Sequence, residues 1–75
     1  MIEINSALSQ DKIIEVLNSF EKDGVTFAFK EKKGLKLLFN VSGTEDFEDA
    51  ARLAKSRIKE EDWGSVLYFS AHGVN

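Results

Sequence analysis

Two stretches in which apolar and polar residues alternate, separated by residues 32–34, constrain the fold of this chain more than any other feature. Their apolar positions are Val25, Phe27 and Phe29 in the first stretch and Leu35, Leu37, Phe39 and Val41 in the second. A period of two is the spacing of a β-strand with one buried face. Lys32-Lys33-Gly34 fits a three-residue turn with Gly34 in the left-handed conformation. The sequence therefore predicts a β-hairpin with Phe27 opposite Phe39 and Phe29 opposite Leu37.

A segment with helical spacing lies on each side of the hairpin. Ser9 is a suitable N-cap and Gly24 a suitable left-handed stop, which predicts a first helix over residues 10–23. Thr44 and Gly64 delimit a second helix in the same way, with acidic residues in its first turn and basic residues near its end. The apolar stripe of the second helix is Phe47, Ala50, Ala51, Ala54 and Ile58.

Shorter alternating segments at residues 1–5 and 65–74 predict a first and a last strand. The order strand, helix, strand, strand, helix, strand gives an α+β fold of the ferredoxin-like, split βαβ type. Right-handed crossovers then place four antiparallel strands in the order 4-1-3-2 with both helices on one face. We expect one domain over residues 1–75. If the first strand does not pair in the centre, a three-stranded sheet is the alternative. The expected core consists of Leu17, Phe20, Phe27, Phe29, Leu37, Phe39, Phe47, Ala51, Ile58 and Phe69.

Composition excludes several classes of site. The 75 residues contain no cysteine, which rules out disulfides, zinc–thiolate sites, iron–sulfur clusters and thiol nucleophiles and is typical of a cytoplasmic protein. A net charge of -3 argues against general attraction to nucleic acid or anionic lipid. No run of 18 apolar residues is present, so we expect no membrane partner.

Few residues could support catalysis. Ser70 and His72 share a strand face, but a nucleophile and base also need an orienting carboxylate and an oxyanion site, which the spacing does not supply. The acidic group around Asp46 is explained by the dipole of the second helix, and the isolated glycines form no phosphate-binding loop. We therefore expect a protein that is not an enzyme and has no cofactor and no metal.

The sheet face opposite the helices is the candidate binding site. Apolar side chains such as Leu38 and Tyr68 occur there among polar ones, and contiguous apolar surface often marks an interface. The alternative is that these residues stand singly on an ordinary solvated sheet. The predicted binding residues are Ala28, Lys30, Lys36, Leu38, Asn40, Val66, Tyr68 and His72, and Glu3, Asn5, Thr26 and Ser70 are expected on the same face.

The sequence thus predicts a small protein–protein interaction module, which acts either as a homodimer or as an adaptor for another protein. A single-stranded nucleic-acid-binding domain with the same topology is the alternative, using the open face and the hairpin lysines. Residues 33–40 match the opening Lys-Gly and the aliphatic middle of the RNA-recognition pattern, but Leu35, Leu37 and Asn40 stand where stacking aromatics are needed. Nucleic acid is therefore not the expected partner.

Overall fold

The computed structural model describes residues 1–74 of the chain. Its elements follow in the order β1 (Ile2–Asn5), α1 (Gln10–Asn18), β2 (Glu21–Lys22), β3 (Val25–Lys33), β4 (Lys36–Ser42), α2 (Phe47–Lys59), α3 (Asp62–Ser65) and β5 (Ser70–Gly73). The strands form one curled, antiparallel, five-stranded sheet in the order β2-β3-β4-β1-β5. Helix α1 packs on β3, α2 packs on β1 and β5, and the two helices contact each other, so both cover one face. The predicted α+β class is confirmed.

Strand β1 lies inside the sheet, with β4 on one side and β5 on the other. Ile2 and Ile4 point toward the helices and are fully buried. The three-stranded alternative is therefore wrong. The sheet nevertheless has one strand more than the predicted order 4-1-3-2, and it curls into half a barrel, so the ferredoxin-like arrangement itself is not confirmed.

The hairpin β3–β4 forms with the predicted inward face but with a different register. Phe29 pairs with Phe39 and Phe27 with Val41, two residues away from the expected pairing. The turn consists of Gly34 and Leu35 only, and Gly34 has a φ of 60°. Glycine with positive φ at the first of two loop positions is the type II′ pattern, which suits the twist of a hairpin. A bulge between Phe29 and Glu31 shifts the pairing of the two strands by one further residue.

The first helix is shorter than predicted, because it ends at Asn18 rather than Asp23. Residues 21–26 instead form a second small hairpin, in which β2 pairs with the start of β3. Asp23 and Gly24 both have positive φ, at 55° and 81°. Asp-Gly with two positive φ values is the preferred type I′ turn. Gly24 therefore reverses the chain between two strands and is not the helix stop that its position suggested.

The second half of the chain also differs from its prediction. Helix α2 begins after Asp46 rather than at Thr44, and Gly64 lies inside the short helix α3 instead of ending α2. The last strand covers only Ser70–Gly73. Because β1 offers just four residues for pairing, residues 66–69 have no strand to pair with and leave the sheet.

One hydrophobic core lies between the helices and the sheet. Leu37, Phe39, Leu17 and Ile58 are fully buried in it, as predicted. The rings of Phe20 and Phe27 stack at 6.0 Å, and Phe29 meets Phe39 edge to face at 5.6 Å. Phe20, Phe29 and Phe69 are partly buried against this cluster. Phe47, also expected in the core, is only partly buried and lies outside the cluster.

Replacing Asp46 with Ala should lower the free energy of unfolding by about 1 kcal/mol. The Asp46 carboxylate accepts a hydrogen bond of 3.1 Å from the Asp49 N–H at the start of α2. Ser9 precedes α1 but makes no such bond, and its φ is 59°. Ser9→Ala is thus the matched control, with an expected loss below about 0.5 kcal/mol in urea denaturation. Equal losses for the two variants would contradict the capping role of Asp46.

Candidate functional site

The sheet face opposite the helices, here called the open face, has a polar centre. Glu3 lies between Leu38 of β4 and His72 of β5 in the strand register. Its carboxylate accepts a hydrogen bond of 2.8 Å from Asn5 Nδ2, and the Lys36 ammonium lies 3.9 Å away. Only 20% of the Glu3 side chain is exposed, so its neighbours cover most of it. An ion pair and a hydrogen bond therefore fill the middle of the face on which apolar and polar side chains were expected to mix.

The structure places six of the eight predicted binding residues on the sheet strands and two outside them. Lys36, Leu38 and His72 surround Glu3, whereas Ala28 and Asn40 pair with each other farther along the hairpin. Lys30 lies at the β-bulge. The expectation that Val66 and Tyr68 lie on the last strand is wrong. Both precede β5 in irregular chain, where Val66 is 85% exposed and Tyr68 is 97% exposed.

Three large apolar side chains gather at one end of the sheet, here called the apolar end and defined by Leu8, Leu35 and Tyr68. Their exposed fractions are 69%, 59% and 97%, respectively. A groove with a volume of about 340 Å³ lies there. Its lining consists of Asn5, Ser6, Ala7, Leu35, Tyr68, Phe69 and Ser70. The apolar surface that the sequence placed across the sheet is thus concentrated at the sheet's end.

Hydrogen bonds hold the apolar end together. The Ser6 N–H donates to the Leu35 carbonyl at 3.0 Å, and Gln10 Nε2 donates to the Gly34 carbonyl at 3.1 Å. The buried Ser6 hydroxyl donates to the Leu8 carbonyl at 2.7 Å. These bonds connect the segment between β1 and α1 to the β3–β4 turn. The backbone that carries Leu8 and Leu35 is therefore held in place by hydrogen bonds.

Sequence reasoning missed Leu8 and Leu35. Leu35 was expected to face the core, because it continues the alternation of β4. Leu35 instead belongs to the two-residue turn between β3 and β4 and is not part of either strand. A large apolar residue immediately after a turn glycine was the available signal, since turn positions usually carry small or polar residues.

The catalytic candidates remain incomplete. Ser70 and His72 lie on β5, opposite Asn5 and Glu3 of β1. The Glu3 carboxylate contacts Asn5 and Lys36, and within residues 1–74 no ion pair of 4.0 Å or less joins it to His72. In the same range, no group of three or more His, Cys, Asp or Glu residues is arranged to hold a metal ion.

A second groove, of about 360 Å³, separates α1 from the C-terminal end of α2 and from α3. The Lys12 ammonium lies 5.8 Å from the centre of the Trp63 ring. Arg57 donates to Glu61 at 3.2 Å and lies 3.9 Å from Glu60. Two of the charged groups in this groove, Arg57 and Glu61, are therefore already paired with each other, and Lys12 contacts the Trp63 ring.

Within residues 1–74 no helix is both long enough and apolar enough to cross a membrane. Comparisons with protein-family models, with curated proteins and with solved structures find no match for this chain.

Proposed function

We propose that the protein is a small, non-enzymatic protein–protein interaction module that binds through its apolar end. The observation that carries this proposal is the groove lined by the exposed Leu35 and Tyr68, from two separate segments, with the exposed Leu8 next to its lining residue Ala7. Single exposed apolar residues are normal on a protein surface, but a contiguous group beside a concave site is typical of an interface. An aromatic anchor such as Tyr68 also supplies much contact area for little loss of side-chain entropy.

The centre of the open face contributes less to this proposal. Burying Glu3 and Lys36 under a partner would remove water from both charges, and the cost of that desolvation offsets much of their mutual attraction. Leu38 is the one large apolar residue in the centre of the open face, and its side chain is already half-buried. We therefore assign the polar centre to the rim of the interface and the apolar end to its core.

The nucleic-acid alternative gains no support from this geometry. Lys36 lies 3.9 Å from Glu3, and Lys33 lies 3.8 Å from Glu31, so both lysines already face a carboxylate. Among the described residues of the open face, no Phe, Tyr or Trp lies on a strand where a base could stack.

Replacing Tyr68 with Ala should weaken binding at the apolar end at least tenfold and change the free energy of unfolding by less than about 0.5 kcal/mol. The reason is that Tyr68 is almost fully exposed and contributes little to the core. Sedimentation velocity over a concentration series measures self-association, and affinity capture measures binding to other proteins. Val66→Ala is the matched control, because Val66 is 85% exposed but does not line the groove. Equal binding by the two variants would contradict the proposed site.

We also propose that the fold is a ferredoxin-like variant that carries β2 as an extra edge strand. The four longer strands are neighbours in the order β5-β1-β4-β3, which is the arrangement expected of two interleaved βαβ units. The absence of cysteine is consistent with a reducing compartment, and we propose a cytoplasmic location.

A further inference from the structure

Strand β5 is an outer edge of the sheet with unpaired main-chain groups. The Val74 N–H donates to the Met1 carbonyl at 2.8 Å, and the register pairs Ile4 with Ala71. In an antiparallel ladder, hydrogen-bonded and non-hydrogen-bonded pairs alternate, so His72 bonds to β1 whereas Ala71 does not. The N–H and C=O of Ala71 therefore point away from β1, toward the side on which residues 1–74 form no further strand.

The outer edge of β5 is partly blocked at the C-terminal end of the strand. The Glu48 carboxylate, from the first turn of α2, accepts a hydrogen bond of 3.0 Å from the Gly73 N–H. This bond satisfies one of the outward-pointing donors and leaves the Gly73 carbonyl free to accept. An added strand can thus bond fully at Ala71 and only through the carbonyl at Gly73.

We propose that a second copy of this chain pairs with β5, antiparallel and about a two-fold axis through Ala71. The inference rests on the proposed interaction function and names its partner. The two Ala71 residues would exchange N–H and C=O in two hydrogen bonds. The second copy would extend β5 by the preceding residues, so that each Phe69 would lie opposite Gly73 of the second copy. In this register the Gly73 carbonyl would accept from the Phe69 N–H of the second copy, whereas the Gly73 N–H stays with Glu48 and gives the Phe69 carbonyl no main-chain donor. Two sheets of five strands would join into one of ten.

Side-chain sizes along the edge fit this pairing. Phe69 is half-exposed, and a glycine across from it leaves room for the ring, an arrangement known to stabilise glycine in sheets. The Gly73 backbone lies directly against the backbone of Phe47, which is also half-exposed. The ring of Phe69 would therefore pack beside Phe47 of the second copy on the helix side of the joined sheet.

The same register connects the edge to the apolar end. One residue beyond the pair of Phe69 and Gly73, Tyr68 would meet Val74 of the second copy. Phe69 and Ser70 belong both to this edge and to the lining of the groove. Val74 of the second copy would thus lie beside the groove and cover part of Tyr68, which is 97% exposed in the single chain.

Charge also favours a second copy at this edge. Residues 69–73 contain no Asp, Glu, Lys or Arg, although the chain has a net charge of -3. Within the paired segment itself there is thus no acidic residue, and the nearby Glu48 carboxylate is bonded to the Gly73 N–H, so the paired residues of two identical edges bring no like charges into direct opposition. Edge strands that must stay single usually carry Lys or Pro, which this one lacks.

The decisive experiment combines sedimentation equilibrium with amide hydrogen exchange followed by NMR. Protein is measured from about 10 μM to about 1 mM, the range in which small interfaces associate. We expect a monomer–dimer equilibrium in which exchange at the Ala71 N–H slows as the concentration rises. Exchange at the His72 N–H, which bonds within the chain, should not depend on concentration.

The variant test is Ala71→Pro. Proline removes an N–H that the single chain does not use, and it is accepted on edge strands, so the fold should persist while dimerisation weakens at least tenfold. Ala71→Ser keeps the N–H and is the control. A dimer in which exchange at Ala71 is independent of concentration would overturn the β5 pairing and leave the interaction function standing. A strict monomer at 1 mM would overturn the second copy as partner, and the Tyr68→Ala capture experiment would then decide the interaction function separately.

Discussion

Replacing Phe39 with Ala should leave the protein largely unfolded at room temperature. Phe39 is fully buried in β4, and its ring meets Phe29 edge to face at 5.6 Å. Truncating a buried phenylalanine costs about 3 to 5 kcal/mol, because it removes transfer free energy and leaves a cavity. A chain of this size has a total stability of only about 3 to 5 kcal/mol. The loss is therefore comparable with the whole free energy of unfolding.

Thermal and urea denaturation followed by circular dichroism measure this effect. Asn40→Ala is the control, because Asn40 is the next residue of the same strand but is exposed on the open face. It should change the free energy of unfolding by less than about 0.5 kcal/mol. A cooperative transition for Phe39→Ala close to that of the unmodified protein would show that this ring is not central to the core.

Replacing Gly64 with Ala should cost about 3 kcal/mol, the upper part of the range for overpacked sites. A Cβ atom on Gly64 would lie 2.7 Å from the Ile58 carbonyl carbon and closer still to its oxygen. Those atoms belong to the backbone of α2, so they cannot move aside as a flexible side chain could. The close approach of α3 to the end of α2 depends on the missing side chain.

Gly24→Ala separates this clash from ordinary backbone strain. Gly24 has a φ of 81°, but a Cβ atom there would meet nothing within 4 Å. The expected cost is the left-handed conformation alone, about 1 kcal/mol. Urea denaturation of the two variants side by side should show the larger loss for Gly64→Ala. Equal losses would mean that α3 can shift away from Ile58.

The sequence predicts which side chains face the core much better than it predicts which residues pair. Ile2, Ile4, Leu37 and Phe39 are all fully buried, as their alternation indicates. The hairpin register was wrong by two residues, and a shift of two leaves every side chain on the same face. The pattern therefore cannot distinguish the two registers. The type II′ turn at Gly34 and Leu35 does, through its length and backbone conformation.

The position of Gly24 in the sequence is compatible with two different local structures. Gly24 after a helical segment fits a helix stop, and Asp23-Gly24 before an alternating segment fits a type I′ turn. The turn forms, since β2 can add hydrogen bonds to the exposed edge of β3. Periodicity is a local property, whereas the choice between these structures depends on which strand is nearby.

The apolar end could be predicted only in part. Tyr68 was correctly identified as exposed, but its alternation with neighbouring residues suggested a strand position that the four-residue β1 cannot support. Leu35 lines the groove and Leu8 lies on the adjoining loop because that loop is hydrogen-bonded to the turn. Contacts between segments 27 residues apart leave no periodic trace in the sequence.

The short strand β2 sets a limit on how far strand-to-strand association can extend. It has only two residues, Glu21 and Lys22, and both are charged and exposed. Strand β2 pairs only with Val25 and Thr26 of β3, and beyond them the Phe29 N–H donates to Asn18 Oδ1 and a bulge follows. The rest of this edge carries the exposed Lys30, Lys32 and Lys33, which disfavour the addition of a foreign strand. An open filament needs two different adhesive edges on every subunit, whereas the proposed pairing about a two-fold axis uses the same β5 edge on both copies. Strand addition at β5 therefore ends after a single step, in a closed pair that cannot polymerise.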